Sequence, residues 1–192
     1  SLTVALPIIS AAGVETICMP TAVLSTHTGG FTGYTYRDLT CDMPDMAEHW
    51  KSIDICPDAV YSGFLGSFEQ IDIVKKIAKD FKRDDNLFIA DPCMADHGKL
   101  YFGFDMPFVE AMKRLCAEAD FIVSLYRQEE DLTMGIMRAA ILKSRLGPKG
   151  MTIPLRFNIE NLRFEDTDNV ELGEISEGSP AEAISGMNNL FN

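Results

Sequence analysis

The sequence predicts an α/β protein built on a parallel sheet, and three observations predict it. Strand-like, loop and helix-like segments follow one another at least three times between residues 15 and 125, the order expected of parallel strands joined by crossover helices. Within that stretch Leu87-Phe88-Ile89-Ala90 is an uninterrupted apolar run, which suits a strand covered on both faces. The run stops at Asp91-Pro92, where the missing N–H of proline and its bias against helix at the preceding residue turn a strand into a loop.

The chain has 192 residues, 46% of them hydrophobic and 24% charged, enough for one ordinary domain with an appendage. Its net charge of −12 argues against nucleic acid held by charge over the whole surface. The acid is uneven: from Glu165 onward there are seven carboxylates and no Lys or Arg, so the body is only mildly acidic. Five cysteines (Cys18, Cys41, Cys56, Cys93 and Cys116) form no CxxC pair and no metal-ligand spacing, which reads as reduced thiols in a cytoplasmic protein. No apolar run approaches a membrane span, and no charged-then-apolar signal opens the chain.

The opening SLTVALPIISAAG reads as a helix already under way and stopped by Gly13, as in a domain whose first strand would precede Ser1. Glu15 to Leu24 is strand-like, and the Gly- and Thr-rich stretch from Ser25 to Gly33 is a loop. Asp42 to Ile53 reads as a helix capped by Asp42, with Pro44 near its first turn and Met46, Trp50 and Ile53 on one face. Ala59 to Ser62 is a short strand, and Gly63 to Ser67 a loop ending in an N-cap. Ser67 to Phe81 carries the clearest helical spacing: Phe68, Ile71, Val74, Ala78 and Phe81 point inward, with Asp72 and Lys76 paired outside. After the strand at Leu87, Asp105 and Pro107 open a helix that turns Phe108, Met112, Leu115 and Ala119 inward, and Phe121 to Leu125 is another strand. Residues 126 to 135 are a polar loop. Ile136 to Lys143 and Met151 to Phe157 are two strands of a hairpin turned at Gly147-Pro148-Lys149-Gly150, and Leu162 to Phe164 pairs briefly. The acidic tail beyond should be disordered.

Chemistry concentrates around LFIADPCMADHG. Asp91 and Asp96 lie just past the carboxyl end of the strand at Leu87, the end where open α/β sheets bind ligands. Two carboxylates there can hold Mg²⁺, which prefers oxygen ligands and carries nucleotide phosphate on its far side. The alternative is a turn in which Asp91 only caps backbone N–H groups.

Three strings in order, PTAVLSTHTGGFTGYTYRDLT, AVYSGFLGS and DPCMADHGKLY, carry a resemblance over residues 1–123 to the pyridoxal and pyridoxamine kinases of the ribokinase-like superfamily. The resemblance implies a truncated ribokinase-like parallel sheet with flanking helices, followed by a β-hairpin (124–165) and a disordered acidic tail (166–192). It implies phosphorylation of the 5′-hydroxymethyl group of a vitamin B6 compound, pyridoxal or pyridoxamine, with ATP and Mg²⁺, and a homodimer of the family's type. His27 and Thr28 match the loop that contacts the pyridine ring, Phe64 an aromatic position beside it, and Asp91 and Asp96 the carboxylates near metal and phosphates. Without the family, His27 would be a loop histidine and Phe64 a core residue. Ala95 stands where the family has a glycine.

The chain also departs from that pattern. The family's first strand and its glycine-containing loop would precede Ser1. Ser124-Leu125-Tyr126-Arg127 replaces the proline-asparagine and later glutamate that organise the nucleotide site. The GTGD-type loop, whose N–H groups stabilise the transferring phosphoryl and whose Asp is the base, has no counterpart string, so no catalytic residue is assigned.

Residues 119–165, with ADFIVSLYR and MRAAILKSRLGPKGMTIPLRFNIENLRFED, resemble instead the C-terminal end of the RecA-like domain of hexameric replicative helicases. There Lys143 and Arg145 match a basic pair that reaches a neighbouring subunit's nucleotide; on spacing alone they are basic residues blunting an edge hairpin. The helicase P-loop has no counterpart here. The two resemblances meet at Ala119 to Val123, a string that suits both, as a recombination or a gene-assembly error would leave. Three readings follow in order: a kinase-family domain, catalytically incomplete in this chain; a helicase-type fragment; and a non-catalytic B6-binding or interaction remnant.

Overall fold

The structure is a computed structural model that describes residues 2–26, 31–96, 99–101, 103–126, 129–145, 147, 151–158 and 163–165. The tail 166–192 lies outside the described residues. The chain divides into two compact units, Ser1–Glu118 and Ala119–Asn192.

The first unit begins with α1 (Leu2–Ala11), which ends where Gly13 takes a φ of +79°, a left-handed turn that suits glycine. None of its residues is buried, and Leu2, Val4 and Ile8 are exposed. The strand expected over 15–24 shrinks to β1 (Ala22–Leu24), the part that finds a partner in the antiparallel β2 (Tyr36–Asp38). Val14 and Ile17, upstream of it, are exposed.

Helix α2 (Met43–Ser52) has Pro44 in its first turn as expected. Asp42 precedes it but makes no capping hydrogen bond, because its backbone is already helical at φ −83° and ψ −25°. The buried face is Met43 and Ala47; Met46 and Trp50 are half-buried and Ile53 is exposed. Strand β3 (Ala59–Ser62) and helix α3 (Phe68–Asp80) follow where the pattern put them. Ser67 caps α3 by accepting from the Gln70 N–H at 3.2 Å. Ile71, Val74, Ile77 and Phe81 are buried, whereas Phe68, in the first turn, is 48% exposed. Lys76 pairs with Asp80 one turn on at 2.8 Å rather than with Asp72.

Strand β4 (Leu87–Ala90) runs parallel to β3, with Ala59 opposite Leu87 and Ser62 opposite Ala90. Its Phe88 is buried and its other residues are half-buried. A small ladder of β5 (Ala95–Asp96) and β6 (Lys99–Leu100) leads to α4 (Met106–Glu118). Phe108, Met112 and Leu115 of α4 are buried as expected. Helix α4 packs on β4 and α3, and α3 on α2. A core of Ala47, Ile77 and Phe81 receives Met19, Trp50, Val60 and Ile73. This is the expected mixed α/β architecture, with a parallel strand pair and flanking helices.

The second unit is an antiparallel meander. Strand β7 (Phe121–Tyr126) leads into α5 (Glu129–Met134), where the polar sequence predicts only a loop. The helix is held by its buried Asp131, which receives Arg138 Nε at 2.7 Å and Nη2 at 2.8 Å from β8 (Ile136–Ser144). Strand β8 pairs with β7 and with β9 (Thr152–Asn158), and β10 (Arg163–Glu165) pairs with β9. The hairpin and its brief third partner therefore form as the sequence predicts.

Candidate functional site

The carboxyl ends of β3 and β4 deliver two loops side by side. The Asp91 N–H donates to the Ser62 carbonyl at 2.8 Å, which carries the parallel pairing one residue past the end of β4. Tyr61 Oη donates to Asp91 Oδ2 at 2.6 Å, and the Cys93 N–H donates to the Asp91 carbonyl at 2.8 Å. Asp91 thus presents one oxygen engaged by a phenol at a fixed position. Burial, then the hydrogen bond to Asp91, pushes the Tyr61 phenol well up from its ordinary value. Burial and the same carboxylate push the Cys93 thiol up to about 11, and burial, then Asp91, does the same to Cys116. Neither thiol is in the state that makes a cysteine nucleophilic near neutral pH. The buried Ser62 hydroxyl, at the end of β3, has no hydrogen-bond partner among the described residues.

The loop leaving β3, Gly63 to Ser67, carries Phe64 and is tied down from several directions. Thr21 Oγ1 donates to the Phe64 carbonyl at 3.1 Å. Gln70 is fully buried and works in both senses. Its Oε1 accepts the Gly66 N–H at 2.7 Å; its Nε2 donates to the Thr21 carbonyl at 3.0 Å and to Thr40 Oγ1 at 2.9 Å. Gly66 lets the Tyr36 hydroxyl come close: a Cβ there would stand 2.7 Å from Tyr36 Oη and would displace that exposed side chain. The Phe64 ring stacks on Phe104 at 5.9 Å between centroids, and Phe104 stacks on Phe108 at 4.2 Å.

Of the predicted site residues, Phe64 and Asp91 stand on the two adjacent loops of the first unit. His27 and Thr28 lie outside the described residues, and Asp96 is placed only as backbone in β5. Lys143 is half-buried on β8 of the second unit. Arg145 is exposed and at the same time forms an ion pair with Asp120, which is 6% exposed, and donates its backbone N–H to the Asp120 carbonyl at 3.0 Å. Sequence reasoning missed Tyr61, Gln70 and Phe104, each of which acts through a partner distant in the chain. Among the described residues no group of three or more His, Cys, Asp or Glu could hold a metal ion. No helix among them is long and apolar enough to cross a membrane.

No family model matches the chain, and no curated protein sequence matches it. Solved structures do. One is a protein of Bacteroides thetaiotaomicron classed as a phosphomethylpyrimidine kinase, in an orthorhombic form with pyridoxal. It is 31% identical over 81% of this chain and 67% of its own, with a TM-score of 0.66. A rhombohedral form of a protein so classed from the same organism is 46% identical over 62% of this chain and 41% of its own, with a TM-score of 0.60. Pyridoxal kinase from Lactobacillus plantarum is 32% identical over 62% of this chain and 42% of its own, with a TM-score of 0.57. The chain therefore spans between two fifths and two thirds of these relatives. They lend no support to the helicase-like reading of residues 119–165, and Arg145 is engaged by an acid of its own unit. With a 31% identical relative matched over two thirds of its length, this chain belongs to the ribokinase-like family of pyridoxal and phosphomethylpyrimidine kinases.

Proposed function

We propose that the first unit forms part of the vitamer-binding half of a B6 kinase, whose reaction transfers the γ-phosphoryl of ATP to the 5′-hydroxymethyl group of pyridoxal or pyridoxamine. The observation that carries this reading is the match over 81% of the chain to a structure with pyridoxal. The geometry supports it: a half-buried aromatic ring and a carboxylate stand at the carboxyl ends of two adjacent parallel strands, where α/β sheets bind ligands. Phe64 would lie beside the pyridine ring, with His27 and Thr28 supplying polar contacts.

Mg²⁺ fits this site in one particular way. It takes one or two carboxylates and completes its shell with water and substrate phosphates, so it needs no cage of three acids. Asp91, with Oδ2 taken by Tyr61, has the hard oxygen chemistry for that role, and Asp96 would be the second carboxylate. When bound, the ion would neutralise charge on the ATP phosphates. The remaining requirement, N–H donors and a base where charge develops, has no candidate in these 192 residues. Losing one such donor costs on the order of 10²–10³ in rate, so this polypeptide binds vitamer weakly and does not turn it over appreciably. Phosphorylated product from pyridoxal or pyridoxamine with Mg-ATP is the measurement, beside calorimetric binding of each vitamer. Binding weakened by Thr28→Ala is the expected result. No vitamer binding at millimolar concentration, or turnover within tenfold of a complete kinase, would overturn the reading.

A further inference from the structure

Four phenylalanines of the first unit form a ladder that does more than fill space. Phe108 is 3% exposed and anchors it on α4. Phe68 meets Phe108 edge-on at 5.4 Å and 74°. Phe104 lies nearly parallel to Phe108, 4.2 Å away at 9°. Phe64 then stacks on Phe104 at 5.9 Å and 30°, and Tyr101 approaches Phe104 at 6.4 Å. All of these spacings are at or near those at which ring quadrupoles favour offset or edge contacts.

The backbone around Phe104 is shaped to put its ring there. Gly103 sits at φ +88°, a conformation costly for other residues, and the Phe104 N–H closes the turn on the Tyr101 carbonyl at 3.2 Å. Phe104 itself is only half-buried, so its ring contributes less to the core than Phe108 does. Phe64 has its carbonyl fixed by Thr21 and its loop by Gln70, yet those bonds leave the side-chain rotamer open. The flat ring of Phe104 lies against it, and the Gly66 backbone borders it, since a Cβ there would stand 3.6 Å from the Phe64 ring.

We propose that Phe104 is a positioning residue for Phe64: it backs the Phe64 ring and fixes the aromatic face that a planar heteroaromatic substrate meets. This rests on the reading of Phe64 as a ring contact, and it adds a determinant outside the three strings that suggested that reading.

The test is a double-mutant cycle on pyridoxamine binding by calorimetry, with Phe64→Leu, Phe104→Leu and the pair, beside Phe104→Tyr. An aromatic pair is worth roughly 0.5–1.5 kcal/mol, so Phe104→Leu should weaken binding about two- to tenfold. Phe104→Tyr should stay within about twofold of the unmodified chain, and the double variant should bind no worse than Phe64→Leu alone. A purely structural role would not give that coupling. If the two single losses multiply, or if Phe64→Leu weakens binding and Phe104→Leu does not, the proposal is wrong. Where Phe64→Leu itself has no effect, the parent reading fails, and Phe104 is judged without ligand from the Phe64 ring resonances. Those should shift in Phe104→Leu; unchanged resonances overturn the proposal independently.

Discussion

Replacing Gln70 by leucine tests whether one buried amide holds the candidate site together. The volume is nearly conserved, so the loss falls on hydrogen bonds. Thr21 O keeps the Leu39 N–H at 3.1 Å and Thr40 Oγ1 keeps Asp38, so neither is stranded. The half-buried Gly66 N–H loses its acceptor, and a donor left unmet away from water costs about 1–3 kcal/mol. The two bonds given up by Nε2 add about 1 kcal/mol each. Burying leucine in place of an amide returns about 1–2 kcal/mol. The net loss should be about 1–4 kcal/mol, a sizeable part of a typical 5–15 kcal/mol. Urea unfolding followed by Trp50 is the assay, because this single tryptophan stands edge-on to Phe81 in the same unit. A midpoint shift worth less than about 0.5 kcal/mol would refute the reasoning, since it would mean the Gly66 N–H was never dependent on Gln70.

In the second unit, Arg138→Met removes both guanidinium bonds from the fully buried Asp131 and should cost about 3–5 kcal/mol, read as lost amide-exchange protection along β8. Arg145→Ala should leave nucleotide binding by the chain unchanged, because its guanidinium serves Asp120; a calorimetric loss of ATP binding would reverse that view. Iodoacetamide at neutral pH should label the exposed Cys41 and Cys56 well before Cys93 and Cys116. The last two thiols sit at about 11 when folded, above their ordinary 9.0, so the folded state retains protons that the unfolded state releases. Their contribution to stability should be complete below pH 9 and disappear as pH rises through about 11, which alkaline unfolding midpoints would reveal.

Where a signal in the sequence is local, structure and sequence agree. Ser67 and the spacing of Ile71, Val74 and Phe81 define α3, and Leu87 to Ala90 with the following Asp-Pro defines β4. Local patterns fail where a partner decides. Residues 15–20 have strand composition but join no strand ladder among the described residues, and α5 forms because Asp131 meets Arg138 across a turn. Of the site, Phe64 and Asp91 were legible through their strings. Tyr61 and Gln70 were not, because Tyr61 bonds a residue 30 positions away and Gln70 one 49 positions away. No spacing rule registers such pairings.

Helix α1 has a consequence for how copies of this polypeptide should meet in solution. It offers Leu2, Val4 and Ile8 to water, while a net charge of −12 keeps neighbouring molecules apart. The two tendencies respond oppositely to salt. Screening contracts from about 10 Å at 0.1 M ionic strength to about 3 Å at 1 M, and sulfate strengthens apolar contacts as well. Ammonium sulfate should therefore carry the chain from dispersed to clustered at modest concentration, with light scattering rising as charge repulsion fades. An assembly joined through ion pairs would scatter less under the same treatment.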